Sequence, residues 1–161
     1  MASNRRSNED LAYGSIDEIN RRLLSELQRD ARLSLAELAR RVSLSSPAVA
    51  ERLQRLEAAG VIRGYHADID PAAVGYSLSA IIRVRPAPLQ LPKVAELVRG
   101  LPEVVECHRI TGEDCYLIKA HVRDVSHLEE LIDQLGPYGQ TTTSIMQSSP
   151  VPARGLSLLP D

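Results

Sequence analysis

The sequence predicts an α+β protein, in which a three-helix unit precedes a domain of mixed strands and helices. Three observations predict this fold class. Apolar residues recur at helical spacing in three short segments before Gly60. After Val61 the apolar period changes from helical to two. From Ser77 onward the segments follow the order strand, helix, strand, strand, helix, strand, which is the βαββαβ order of a ferredoxin-like domain.

Composition excludes several classes of protein. The 161 residues carry a net charge of −2, with 43% hydrophobic and 25% charged residues. That balance is ordinary for a globular chain, and it excludes a uniformly basic nucleic-acid coat and general disorder. No apolar run approaches the ~18–20 residues of a transmembrane helix. The polar start, Met1 to Asp10, lacks the apolar core of a signal peptide, so a cytoplasmic location is expected.

Charge is divided unevenly along the chain. Residues 1–63 hold eleven arginines against nine acidic residues, whereas residues 64–161 hold eight basic against twelve acidic residues. The N-terminal third is therefore the basic part, which indicates two functional halves. Only two of the 19 basic residues are lysine, an arginine bias that hints at a GC-rich bacterial genome. Trp and Phe are absent, which argues against an aromatic-walled pocket.

The first two helices are predicted from their start signals. The first helix runs from Ile16 to Asp30, where Ser15 and Glu18 have the spacing of a capping box. In a capping box, the two side chains satisfy backbone N–H groups that have no partner inside the helix. The second helix begins at Ser34, with Glu37 three residues later.

The third helix has the clearest start and stop. Ser45 and Ser46 precede Pro47, which is the pattern of a serine cap followed by proline in the first turn. Gly60 then ends the helix after Ala59. A short helix, a tight turn and a capped third helix predict a helix-turn-helix.

The segment Val61 to Ile69 is predicted as a strand that adds a wing to these helices. Further strands are predicted at 77–85, 104–110, 115–122 and 141–147. A helix begins near Leu91, and Ser126 with Glu129 predicts the cap of another. Thr111 to Asp114 is a hairpin turn that places Ile110 opposite Cys115 and Cys107 opposite Ile118.

A βαββαβ domain leaves one face of its sheet without helices. Apolar groups are predicted on both faces of this sheet, from Ile81, Cys107 or His108, Leu117 or Ile118, and Ile145 or Met146. An uncovered apolar sheet face usually marks an interface, so a dimer through this domain is expected.

The third helix has features that suit entry into the DNA major groove. The groove is about 12 Å wide and accepts a helix whose tip is small or polar and whose flanks carry phosphate-binding arginines. The candidate DNA-contacting residues are Ser45, Ser46, Ala48, Arg52, Arg55, Arg40 and Arg41. The spacing alone equally fits a plain three-helix bundle with a solvated arginine-rich face.

An ordered set of motifs resembles the Lrp/AsnC family of transcription regulators. The set consists of Leu35 to Ser45, Glu51 to Glu57 and Gly60 to Tyr65, together with Ile16-Asp17, Asp70-Pro71 before Gly75-Tyr76, Thr111 to Asp114 and Thr141 to Ile145. The resemblance covers about Ser15 to Val151. It implies a winged helix-turn-helix, a ferredoxin-like effector domain, dimers that commonly assemble to octamers, and a small effector, usually an amino acid.

With this resemblance, five segments are predicted. They are a flexible N-terminus (1–14), a winged helix-turn-helix domain (15–63), a linker strand and hinge (64–76), an effector-binding and oligomerisation domain (77–147) and a C-terminal tail (148–161).

The resemblance also implies where the effector binds. By position, the candidate effector-binding residues are Thr111, Gly112, Glu113, Asp114, Thr141, Thr143 and Asp133. Carboxylates suit the ammonium of an amino acid, whereas hydroxyl or backbone N–H groups suit its carboxylate. In many members of the family, an acidic residue lies three positions after the glycine that corresponds to Gly112, and an aromatic residue follows it. Here that position is Cys115 and the acid is Asp114, so the chain departs from the family's pattern at this turn.

The cysteines and histidines predict no catalytic or metal site. A disulfide between Cys107 and Cys115 is unfavourable in a reducing cytoplasm and in the predicted register. A zinc site with His108 and His121 lacks the paired spacing of known sites. Two buried thiols are therefore expected. No phosphate-binding glycine loop is present, and no cofactor is expected.

The prediction is a DNA-binding regulator and not an enzyme. The alternative is an enzyme similar to the sirohaem decarboxylases, which resemble the same two-domain architecture but act on a tetrapyrrole. Bound tetrapyrrole would give a Soret absorption band. A third possibility is an effector-binding module whose helix-turn-helix no longer binds DNA.

Overall fold

The computed structural model describes residues 16–158, which fall into two units. Of the described residues, 16–67 and 151–158 form the first unit, and Asp68–Pro150 form the second. The predicted flexible N-terminus and the predicted cap Ser15 lie outside the described residues. Within residues 16–158, no helix combines the length and the apolar character that crossing a membrane requires.

Three helices form the first unit. They are α1 (Glu18–Arg29), α2 (Leu35–Val42) and α3 (Ser46–Ala58). Their apolar stripes meet in a small aliphatic core made of Leu23, Leu38, Ala39, Val42, Val49 and Leu53. Aliphatic burial of this kind contributes about 1.5–3 kcal/mol per large side chain, so it is the main force that holds the three helices together.

The caps of α2 and α3 confirm the predicted starts. The Ser34 hydroxyl accepts a hydrogen bond from the Glu37 N–H at 3.2 Å, and the Ser45 hydroxyl accepts one from Ala48 at 3.4 Å. α1 begins two residues later than predicted, because Asp17 caps it by accepting from the Asn20 N–H at 2.7 Å. Aspartate is among the strongest capping residues, so it determines where this helix starts.

The strand predicted over Val61 to Ile69 is wrong, since no residue of that segment has a strand partner among residues 16–158. The first amides of the segment have another use. Gly60 has a positive φ of 72°, and the Val61 and Ile62 N–H groups then donate to the Leu56 carbonyl at 2.9 and 3.2 Å. They close the C-terminus of α3, so they are not available to a sheet.

The second unit has the predicted topology. It contains β1 (Leu78–Pro86), α4 (Leu91–Arg99), β2 (Val104–Arg109), β3 (Tyr116–Val122), α5 (Val125–Leu135) and β4 (Gly139–Ile145). The strands form one antiparallel sheet in the order β2-β3-β1-β4. This order and the two helices make a ferredoxin-like α+β domain.

The predicted hairpin register is confirmed. Cys107 lies opposite Ile118, and the Ile110 N–H donates to the Cys115 carbonyl at 3.0 Å. The predicted cap of α5 is wrong, because the helix begins at Val125 and Asp124 accepts from the His127 N–H at 2.8 Å. Here again an aspartate near the predicted serine provides the cap.

Both helices of the second unit cover the same face of the sheet. The core between them consists mainly of Ala80, Ile82, Val84, Val94, Val98, Ile118, Ala120, Val122, Leu128, Leu131 and Leu135. On the opposite face, Ile81 and Leu117 are half-buried, and their neighbours in the register include Arg83 and Lys119. The uncovered face is therefore charged around a small apolar centre, not broadly apolar as predicted.

The sheet register explains this correction. Cys107, Ile118 and Ile145 lie on the face that the helices cover, because they are opposite Ile118, Ile82 or Ala80 in the pairing. Only one residue of each alternative pair can occupy the outer face, since side chains alternate along a strand. The dimer stays a prediction.

Candidate DNA-binding and effector sites

The surface of α3 is divided into a buried and an exposed face. Val49, Leu53 and Leu56 are buried. The side chains on the opposite face, which are exposed, are Pro47, Glu51, Gln54 and Ala58. Sequence analysis did not select Gln54. Its helical spacing from Pro47 and Glu51 would have identified it, because residues three and four apart share a face.

The tip of α3 is small, as predicted. Ser45 uses its hydroxyl to cap the helix, while Ser46 and Ala48 are half-buried. The helix N-terminus also carries a partial positive charge from its unpaired N–H groups. The tip can therefore approach a phosphate backbone closely without a steric penalty.

Arg52 and Arg55 are neighbours on α3 but differ in their partners and in their exposure. The Arg52 guanidinium contacts the Asp17 carboxylate at 2.6 Å and the Asn20 side-chain oxygen at 3.0 Å, both at the start of α1. Burial opposes ionisation of Asp17, but the Asn20 N–H and Arg52 outweigh it and hold the pKa of that carboxyl below its ordinary value. Among residues 16–158, Arg55 is paired only with Glu51, one turn earlier on α3, and its side chain is 69% exposed.

Arg40 and Arg41 share the carboxylate of Glu37. Arg40 contacts it at 2.7 and 2.9 Å, and Arg41 contacts it at 2.7 Å while also reaching Glu26 of α1 at 2.5 Å. Hydrogen bonds from Arg40 and then Arg41 lower the pKa of Glu37 to about 2. Glu37 therefore binds arginines and does not complete the predicted capping box.

This arrangement predicts an acid-dependent loss of stability in the first unit. Because the folded state lowers the pKa of Glu37 from 4.5 to about 2, its stabilising effect is complete above about pH 4.5 and disappears as the pH falls toward 2. We expect Glu37→Gln to lower the midpoint of thermal unfolding at pH 7 and to differ less from wild type at pH 2.5, measured by circular dichroism. A difference that is independent of pH would contradict this role.

The predicted effector turn is paired with two arginines that sequence analysis missed. Asp114 is 3.5 Å from Arg83, and Glu113 is paired with Arg85. Both arginines lie on the outer face of β1, about 30 residues earlier in the chain. No local signal could find them, since only the pairing of β1 with β3 brings them to the turn. Gly112 has a φ of 109°, a conformation that favours glycine.

The other predicted effector residues lie apart from these ion pairs. Thr141 and Thr143 are half-buried on the face of β4 that the helices cover, opposite Val84 and Ile82. Thr142, between them, lies beside Arg83 on the outer face. Asp133 is exposed near the end of α5. The structure therefore brings Glu113 and Asp114 together with Arg83, Arg85 and Thr142, and it places the predicted threonines on the other face.

Both cysteines are free thiols. Cys115 is half-buried, but Cys107 is exposed, so the expectation of two buried thiols is wrong for Cys107. The reason is that β2 is an edge strand, with a neighbour on one side only. Partial burial still raises the pKa of the Cys107 thiol. Residues 16–158 contain no cluster of three or more His, Cys, Asp or Glu side chains that could hold a metal ion.

Two family models match successive parts of the chain. Residues 16–63 match the model for winged helix-turn-helix DNA-binding domains, and residues 79–156 match the model for the Lrp/AsnC ligand binding domain. A helix-turn-helix followed by a ligand-binding sheet domain defines a class of DNA-binding transcriptional regulators.

Individual relatives agree with this class. The chain is 32% identical over 133 residues to the regulator LrpC of Bacillus subtilis, which covers 83% of this chain and 92% of LrpC. A Neisseria meningitidis regulator solved with L-methionine matches with a TM-score of 0.82 and 31% identity, over 91% of this chain and 97% of that chain. A feast or famine regulatory protein of M. tuberculosis with L-methionine matches with a TM-score of 0.80 and 34% identity, over 88% and 99%.

The chain belongs to the Lrp/AsnC family of transcriptional regulators, as the resemblance in its sequence predicted.

Proposed function

We propose that this regulator reads its operator with α3 and that an amino acid controls its affinity for DNA. The observation that supports DNA binding is the exposed, capped tip of α3. Gln54 lies on the outward face, where an amide side chain can pair with adenine, and the largely exposed guanidinium of Arg55 can bind phosphate. Arg40 and Arg41 at the end of α2 add positive charge, although carboxylates partly neutralise them.

For the effector half, we propose a site at the turn between β2 and β3. The pairs Arg83–Asp114 and Arg85–Glu113 present positive and negative groups side by side. A zwitterionic amino acid carries the complementary arrangement, with a carboxylate for a guanidinium and an ammonium for a carboxylate. Two relatives were solved with L-methionine, which supports an amino acid as the class of effector.

We further propose a homodimer that assembles to an octamer, without catalytic activity. Two-fold symmetry would give pseudo-palindromic operators whose half-sites are about one helical turn apart or a multiple of it. Ligand binding that favours one assembly would change DNA affinity by a coupling of about 1–3 kcal/mol.

The test is a titration of the full chain with the duplex upstream of its own gene, at two salt concentrations. We expect specific binding that weakens as salt rises and that outcompetes unrelated DNA, and we expect L-methionine or another of the twenty amino acids to change the affinity. Binding no tighter than the non-specific range of ~10⁻⁴–10⁻⁶ M would contradict the DNA half. A Soret band in the purified protein would instead favour the decarboxylase-like alternative.

A further inference from the structure

The C-terminal segment 151–158 lies against α1 of the first unit. The side-chain amide of Gln28 holds both backbone groups of one residue in this segment. Its Nε2 donates to the Leu156 carbonyl at 3.1 Å, and its Oε1 accepts the Leu156 N–H at 2.6 Å. The Gln28 side chain therefore satisfies both backbone hydrogen-bonding groups of Leu156, as a neighbouring β-strand would. The contact involves the backbone of Leu156 and not its side chain.

Gly155 makes this contact possible. A Cβ on Gly155 would lie 2.8 Å from the Gln28 Cδ and 3.0 Å from the Gln28 Cβ. Rotation of the amide cannot relieve the second contact, because the Gln28 Cβ is attached directly to the helix backbone. A side chain at this position would therefore require the Gln28 amide to move and the segment to shift from α1 by a few tenths of an ångström. The segment and α1 also line an open cavity of about 280 Å³ beside Ser25 and Arg29.

The same segment is the direct continuation of the sheet. Pairing extends past β4, since the Met146 N–H donates to the Ser79 carbonyl at 2.8 Å. Eight residues then separate Met146 from Gly155, and two of them, Pro150 and Pro152, have a φ restricted by the proline ring. The connection from the last strand of the effector domain to α1 is therefore short and partly stiff.

We propose that residues 151–158 form a strap, which docks on α1 at Gln28 and at the cavity beside it. This strap transmits effector binding to the DNA-binding unit. The second half of this inference rests on the proposed function. α1 is a suitable receiver, because Asp17 and Asn20 at its start hold Arg52 of α3. A displacement of α1 reaches the helix that carries Gln54 and Arg55 through this contact.

The docking is tested by amide hydrogen exchange in the full-length protein. We expect the Leu156 amide to exchange slowly in wild type and to lose protection in Gln28→Ala and in Gly155→Val. Ser25→Ala is the matched control, because Ser25 lines the same cavity and no hydrogen bond joins its side chain to residues 151–158. Equal exchange in wild type and Gln28→Ala, or equal loss in Ser25→Ala, would overturn the docking site.

Transmission is tested by DNA affinity with and without the twenty amino acids, L-methionine first. In wild type the ligand should change the affinity by a factor in the common range of about 5–150. Gln28→Ala and Gly155→Val should bind DNA within about twofold of wild type without ligand and lose at least two thirds of the ligand response on a logarithmic scale. Variants that lose Leu156 protection but keep the full response would overturn the strap as transmitter.

Failure of the proposed function gives a different result. If no amino acid changes the DNA affinity of wild type, the proposed effector and the transmitting role both fail. The exchange experiment still decides the docking site in that case, because it requires neither DNA nor ligand.

Discussion

Arg55→Ala is expected to weaken DNA binding roughly eightfold per lost phosphate contact near 100 mM salt, or roughly 60-fold if each protomer of a dimer loses one. The Arg55 side chain is largely exposed, and its partner Glu51 lies one turn away on the same helix. An exposed i, i+4 pair contributes only about 0.3–0.5 kcal/mol, so phosphate can replace Glu51 at little cost. The slope of log affinity against log salt concentration should decrease in magnitude by about one for each phosphate contact that is lost.

The measurement is fluorescence anisotropy with labelled operator duplex from 50 to 200 mM salt. Arg55→Lys serves as the control, since lysine retains the charge. It should keep most of the affinity and the salt dependence. An unchanged salt dependence in Arg55→Ala would show that this side chain does not reach the phosphates.

The effect of Arg52→Ala on DNA binding is expected to have a different cause from that of Arg55→Ala, because Arg52 contacts α1 and its side chain is less exposed. The informative variant is Asp17→Asn, since asparagine still caps a helix well while the ion pair is lost. If Arg52 positions α3 against α1, this variant should weaken operator binding by about threefold, or about 0.6 kcal/mol, which is typical of an exposed ion pair. If Arg52 instead binds phosphate, release from Asp17 should strengthen binding. The opposite signs of the two results decide between the roles.

Gly139→Ala is expected to have the largest effect on stability, at about 2–4 kcal/mol in the unfolding free energy of the second unit. Gly139 begins β4 opposite Pro86 of β1. A Cβ there would lie 2.7 Å from the Pro86 Cα and would also contact the Arg85 carbonyl oxygen. Both neighbours are backbone atoms, so the strands must separate to make room. Urea denaturation followed by circular dichroism measures the loss.

Gly136→Ala is the matched control, three residues earlier. A Cβ at Gly136 meets nothing within 4 Å, and its φ of −49° suits any residue. That substitution should be neutral or stabilising by about 0.4–1 kcal/mol, because it restricts the unfolded chain. Equal unfolding free energies for the two variants would contradict the close approach of β4 to β1.

Much of the fold was predictable from short-range patterns. The caps at Ser34 and Ser45 depend on residues three positions apart, and the turn at Gly112 determines which residues face each other in its hairpin. Prediction was wrong where two local signals competed, as at Asp124, or where an extended segment found another partner, as after Gly60. Extended backbone becomes a strand only when its hydrogen bonds go to a neighbour.

The candidate sites depended more on distant contacts. The residue types at the tip of α3 and at the β2–β3 turn were visible in the sequence, because both follow from local signals. The partners of the charged side chains at these two sites were not visible in the sequence. Arg52 meets Asp17 35 positions away, Arg83 meets Asp114 31 positions away, and Gln28 meets Leu156 128 positions away.

The sequence by itself therefore determined the order of the helices, the order of the strands in the second unit, the caps of α2 and α3, and the residue types at the tip of α3. Tertiary structure alone decided which acidic residue most of these arginines contact, which face each effector candidate occupies and where the C-terminal segment lies. The physical reason is how far apart along the chain the interacting residues lie. A cap or a turn forms among neighbours along the chain, whereas an ion pair or a docked segment needs two distant stretches that packing and strand register bring together.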